Sequence, residues 1–194
     1  TTVNPAGSAA SYAIWAGDGV SNVWDVATTP NWVNSPGGTP VVFTNDSPVA
    51  FDDSATNFTV NLTTTVSPAS MTVSAGNNYF LQGSGNISGS GELLKLGSGF
   101  LKIETPNNYS GGTMLAGGAL YMNTNNALGS GEITLADGNT GFAAVDNPVI
   151  LNNDLNITAS TAYFGISGGG TIISGRSTNL TITGDINLAG AMPV

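Results

Sequence analysis

The chain has 194 residues, 27 of them glycine, with 40% apolar and only 8% charged side chains. Three Lys and Arg face twelve Asp and Glu, for a net charge of −9, and there is no His or Cys. So few cations cannot follow a phosphate backbone or an anionic membrane, which excludes nucleic acid as a partner, and without His or Cys the Ser–His–Asp and Cys–His nucleophiles and the usual zinc sites are unavailable.

The opening stretch TTVNPAGSAASYAIW lacks a basic region ahead of an apolar one, so it does not read as a signal peptide. No apolar run approaches the roughly 20 residues of a membrane-spanning helix, and no membrane insertion is expected. The chain reads as a mature or excised piece of a longer secreted protein. Residues 1–57 hold all three tryptophans, Trp15, Trp24 and Trp32, and most of the prolines, and are expected to form a capping segment. From Phe58 onward, short apolar runs alternate with Gly, Asn and Asp. The predicted strands are FTVNL (58–62), MTV (71–73), YFL (79–81), LLKL (93–96), FLKI (100–103), ALYM (119–122), ITL (133–135), FAAV (142–145), LNI (155–157), YFGI (163–166), TII (171–173), LTI (180–182) and INL (186–188). None shows a helical period.

Their spacing decides the architecture. Leu101, Leu120, Phe142 and Phe164 follow at 19, 22 and 22 residues, and Ile133, Leu155 and Leu180 interleave at 22 and 25. Two or three short strands per interval of about 20 residues is the demand of one coil of a parallel β-helix. The competing β-sandwich also has turns every 8–12 residues, but its tight hairpins favour Asn-Gly and Asp-Gly turns, which are scarce here. The reading is an all-β parallel β-helix over residues 58–194, its first coil plugged by the tryptophans, because an uncovered solenoid end exposes its core.

GSGFLKIETPNNYSGGTMLAGGALYMNTNNALGSGEITLADG (97–138) resembles the autotransporter-associated β-strand repeat. The resemblance rests on Gly99, Leu101 and Ile103, on Asn108-Tyr109-Ser110-Gly111-Gly112-Thr113, on Gly118 with Leu120, and on Ala127-Leu128-Gly129-Ser130-Gly131. One full copy is clear, and residues 141–190 follow its rhythm more than its words. Trp15, Gly17, Gly19, Trp24 and Asn31-Trp32 resemble the segment that often precedes such repeats. The resemblance implies a right-handed β-helical stalk or adhesin passenger of a bacterial surface protein, extracellular, joined to flanking domains. It implies no common catalytic residue.

Several residues are weighed as sites. Two carboxylates suffice for glycoside hydrolysis, about 5–5.5 Å apart for retention and 6.5–9.5 Å for inversion. Glu92, Glu104 and Glu132 stand beside turns, however, and Asp137, Asp146 and Asp154 flank short strands as turn caps. Lys95 and Lys102 read as outward positions of their strands. No catalytic residue is therefore assigned. Asp46, Asp52 and Asp53 lie close together in FTNDSPVAFDD, and Asp18, Asn22 and Asp25 in AGDGVSNVWDV; hard oxygen ligands suit calcium, so the first trio is the candidate metal site. Tyr109 and Tyr121 are candidate contacts for a neutral glycan. The expected function is a non-catalytic surface module, with carbohydrate binding as the alternative and polysaccharide cleavage behind both.

Overall fold

The structure, a computed structural model, describes residues 11–137, 140–158 and 180–188. These residues form strands and turns, with no helix among them. In chain order the strands are β1 (Tyr12–Trp15), β2 (Val23–Trp24), β3 (Trp32–Ser35), β4 (Pro40–Val41), β5 (Pro48–Phe51), β6 (Thr59–Leu62), β7 (Thr65–Val66), β8 (Ser70–Ser74), β9 (Tyr79–Gly83) and β10 (Asn86–Ile87). There follow β11 (Glu92–Leu96), β12 (Phe100–Ile103), β13 (Thr113–Leu115), β14 (Ala119–Met122), β15 (Ile133–Leu135), β16 (Gly141–Ala144), β17 (Val149–Leu151), β18 (Leu155–Ile157), β19 (Leu180–Ile182) and β20 (Ile186–Leu188).

The strands stack in parallel as a β-solenoid of about five turns. One face is a ten-stranded sheet in the order β20-β18-β15-β13-β11-β8-β5-β1-β3-β4, and a second is β16-β14-β12-β9-β6-β2. A third side is narrower, carried by the pairs β7-β10 and β17-β19. The parallel pairing rules out the sandwich, whose sequential strands would be antiparallel. Among the described residues, only β1-β3 and β3-β4, at one end of the first face, pair antiparallel.

The period of two within each strand places alternate residues inside. On the first face Val49, Met71, Leu93, Thr113, Ile133 and Leu155 stand in register at intervals of 20 to 22 residues. On the second, Leu101 and Leu120 are fully buried and in register with a half-buried Phe142; Phe164 lies outside the described residues. Each buried Leu, Ile or Val contributes on the order of 1.5–3 kcal/mol, and no coil could bury both sides of this column alone.

One expected rung is corrected. Leu180 does not continue the Ile133–Leu155 column; it pairs with Val149 on the third side, and Ile186 takes the first-face position. The step from Leu155 to Ile186 is 31 residues rather than 22, so an even count lands one side short.

The N-terminal segment contributes rungs as well as cover. Parallel pairing already joins β1 to β5, both N-terminal to residue 58, and β2 to β6 just beyond it. Trp15, Trp24 and Trp32 have no exposed surface. Trp32 sits 5.1 Å from both other indoles, Trp24 lies 5.6 Å from Phe51, and Phe51 passes the contact to Tyr79 at 5.4 Å. Edge-to-face aromatic pairs of this kind add about 0.5–1.5 kcal/mol beyond burial. The indole N–H of Trp15 donates to the Asn57 carbonyl at 2.9 Å, whereas those of Trp24 and Trp32 have no hydrogen-bond partner.

Candidate functional site

The bend Tyr109-Ser110-Gly111-Gly112-Thr113 shows how the repeat motif is used. Tyr109 turns inward from the third side and is fully buried, and its hydroxyl shares a 2.7 Å hydrogen bond with the Thr113 hydroxyl. Thr113 is the polar member of the first-face interior column, so the tyrosine satisfies it four residues away. Burial pushes the Tyr109 phenol well above its usual value. Between them the chain passes against the preceding coil: a Cβ on Gly111 would lie 2.4 Å from the Ser90 carbonyl oxygen, and Gly112 has φ +87°. Tyr109 is thus removed from any surface, and the expectation that it meets a glycan is corrected. A tyrosine followed by two glycines and a threonine carried the signal for an internal hydrogen bond.

Asp46, Asp52 and Asp53 do not converge, and no group of three or more His, Cys, Asp or Glu among the described residues could hold a metal ion. Their local partners explain why. Asp52 accepts from the N–H and hydroxyl of Ser54. Asp53 accepts from the N–H of Gly76 and from the N–H and side-chain amide of Asn77, at 2.8 to 2.9 Å, so it pins the corner of the next coil. Those donors, Gly76 first, hold its carboxyl below the usual range. Asp46 takes a left-handed turn at φ +64°. In the other acidic stretch Asp18 closes its own loop, accepting from the N–H of Asn22 and Val20 and the hydroxyl of Ser21, which lowers its pKa to about 2. Asp25 accepts from the N–H and hydroxyl of Thr29.

The two lysines differ. Lys95 is not an outward residue: it shares the interior register of Val73 and Leu115 and is 1% exposed. Its ammonium donates to the carbonyls of Leu96 and Gly97 and, at 3.2 Å, to Gly117 of the next coil. Burial pushes its pKa down to about 8. LLKL alternates in the opposite phase from the expected one, with Leu94 and Leu96 half-exposed outside and the cation inside. The neighbouring glycines, whose bare turns offer carbonyls to an interior donor, were the available signal.

Lys102 does point outward. It bridges Glu104 at 2.6 Å and Asp146, 44 residues away, at 2.7 Å. Burial pulls its pKa down, but Asp146 and Glu104 outweigh that and hold it above the usual lysine value. Sharing one ammonium brings these two carboxylates close together. The arrangement is an ion-pair clasp across coils.

Around this clasp lie the outward aromatics of the second face. Phe80, Lys102, Tyr121 and Ala143 share one column across four coils, with Phe100 one row behind beside Ala119. Ring centroids are 5.4 Å apart for Phe80–Phe100 and 5.2 Å for Phe100–Tyr121. All three rings are half-buried. Of the two tyrosines considered for glycan contact, Tyr121 alone remains accessible, and its two phenylalanine neighbours were not foreseen because FLKI and YFL read as core strands.

In comparison with known proteins, the chain matches no family model, no curated protein and no solved structure.

Proposed function

We propose that the chain is a non-catalytic module of a secreted bacterial surface protein, a β-solenoid segment that spaces or displays the domains flanking it. One observation carries this reading: Asp53 and both strand lysines are spent on joining coils, and Asp18, Asp25 and Asp52 on closing their own turns. Asp53 and Lys95 each bond to the next coil, and Lys102 clasps Asp146 from far along the chain. Enzymes instead gather such groups into a cleft with protonation states set for chemistry.

The resemblance of residues 97–138 to the autotransporter-associated repeat supports the same role. An extracellular location and a place among flanking domains follow from it. A solenoid suits spacing because its length grows coil by coil while its cross-section stays constant.

The test has two parts. Inserted between a membrane anchor and an epitope tag, the chain should raise tag accessibility on cells relative to an unstructured linker of equal length. The purified chain should release no reducing ends from polysaccharides. Release that disappears in Glu104→Gln or Asp146→Asn would overturn the reading and make the clasp a catalytic pair.

A further inference from the structure

We propose that the outward patch formed by Phe80, Phe100 and Tyr121 binds a neutral polysaccharide running along the solenoid axis. The patch takes one aromatic from each of three consecutive coils, β9, β12 and β14. Coils repeat every ~4.8 Å, and the ring centroids lie 5.4 and 5.2 Å apart, so the rings step from coil to coil along the axis, with Phe100 set two residues back from the column of Phe80, Lys102 and Tyr121. These positions alternate with fully buried Leu101 and Ile103 and thus face away from the core.

The next coil leaves Tyr121 room. Its rung partner there is Ala143, and the adjacent pair is Ala119 with Gly141. A Cβ on Gly141 would lie 2.9 Å from the Ala119 Cβ and 3.9 Å from the Tyr121 hydroxyl. Small residues thus continue the row where a fourth large ring would otherwise close it. Aromatic rings with a polar tip suit the C–H face and hydroxyl rim of a pyranose. Two residues further along the strands come Gln82 of β9, whose amide can both donate to and accept from hydroxyls, and, just beyond β14, Asn123, whose amide oxygen accepts from Asn147 and whose NH2 can still donate.

Charge selects a neutral ligand over an acidic one. Lys102, the cation of this patch, is already bonded to Glu104 and Asp146. A uronic acid would meet two carboxylates and a committed ammonium on a chain of net charge −9. A basic peptide is the competing ligand, and the test distinguishes it. The proposal stands apart from the spacing role, since a stalk can carry a glycan contact or lack one.

Native gel electrophoresis of the purified chain through hydroxyethyl cellulose, galactomannan and dextran, with alginate and oligolysine as controls, measures it directly. At least one neutral polymer should retard the chain while alginate does not. Tyr121→Ala and Phe100→Ala should each weaken that retardation tenfold or more, and Met114→Ala on the first face should leave it unchanged. Tyr121→Leu, which retains bulk and packing but loses the ring, keeps the test valid if an alanine variant unfolds. No retardation by any neutral polymer, retardation indifferent to the ring substitutions, or binding to oligolysine alone would each overturn the proposal.

Discussion

The first and last described coils of the solenoid differ in how their interior side chains are covered. At the N-terminal end the interior is closed by Trp15, Trp24 and Trp32, all without exposed surface, and the first-face edge is covered by the antiparallel strands β3 and β4. At the last described rung, Ile186 and Leu188 continue the interior columns of Leu155 and Ile157, yet they are 46% and 53% exposed. Leu155 and Ile157, one coil earlier, are only 2% and 4% exposed. Interior register therefore does not itself bury a side chain; a following layer must.

That contrast sets the largest predicted effect. Trp24→Ala or Trp32→Ala should lower unfolding free energy by about 3–5 kcal/mol, measured by guanidinium titration. Leu188→Ala, in an interior position without comparable cover, should cost under about 1 kcal/mol. Equal losses at both ends would erase the distinction. Between the ends, the buried cation provides the next test. Lys95 has a folded pKa of about 8 against an ordinary 10.5. Between those values the unfolded chain holds the proton that the folded chain has released, so stability rises with pH across the window. Below about pH 8 both states are protonated and the contribution is flat. The rise amounts to at most about 3 kcal/mol. Burial that keeps Tyr79 and Tyr109 neutral acts in the opposite direction above pH 10, so the clearest comparison runs from pH 8 to 10. Lys95→Met should flatten it, and an unchanged slope in that variant would assign the effect elsewhere.

The bend gives a smaller effect. Gly111→Val and Gly112→Val should each cost roughly 1–3 kcal/mol, for different reasons. Gly111 has no room beside the Ser90 and Gly91 backbone, and Gly112 needs its positive φ. Gly112→Ala, which adds the least bulk, should therefore retain most of its cost through strain, whereas a denaturation midpoint equal to the parent's would remove the bend from the account.

Much of this architecture was legible because it rests on interval and alternation. Leu101, Leu120 and Phe142 announced the second-face column through spacing alone, and the tryptophans announced the plug through clustering and size. Phase was harder to read. LLKL offers two alternations, and only the partners of Lys95 in adjacent coils decide which is inside. The 31-residue step that moved Leu180 off its expected column has no local signature. Site residues were less legible still: Asp46, Asp52 and Asp53 are close in sequence, but their direction is set by individual turn bonds. Phe80 and Phe100 join Tyr121 only through lateral registration of strands 19 to 22 residues apart.

Cross-linking tests the stacked register most directly, and the absence of native cysteine makes it clean. Leu94 of β11 pairs with Met114 of β13, while Thr72 of β8 lies one rung to the other side. Adjacent parallel strands stand ~4.8 Å apart, within the Cα separation that a disulfide accepts. Leu94→Cys with Met114→Cys should oxidise to a disulfide under mild conditions, as should Thr72→Cys with Leu94→Cys. Thr72→Cys with Met114→Cys, two rungs apart, should remain reduced within the monomer. Efficient intramolecular closure of that last pair with failure of the adjacent ones would contradict the parallel stack.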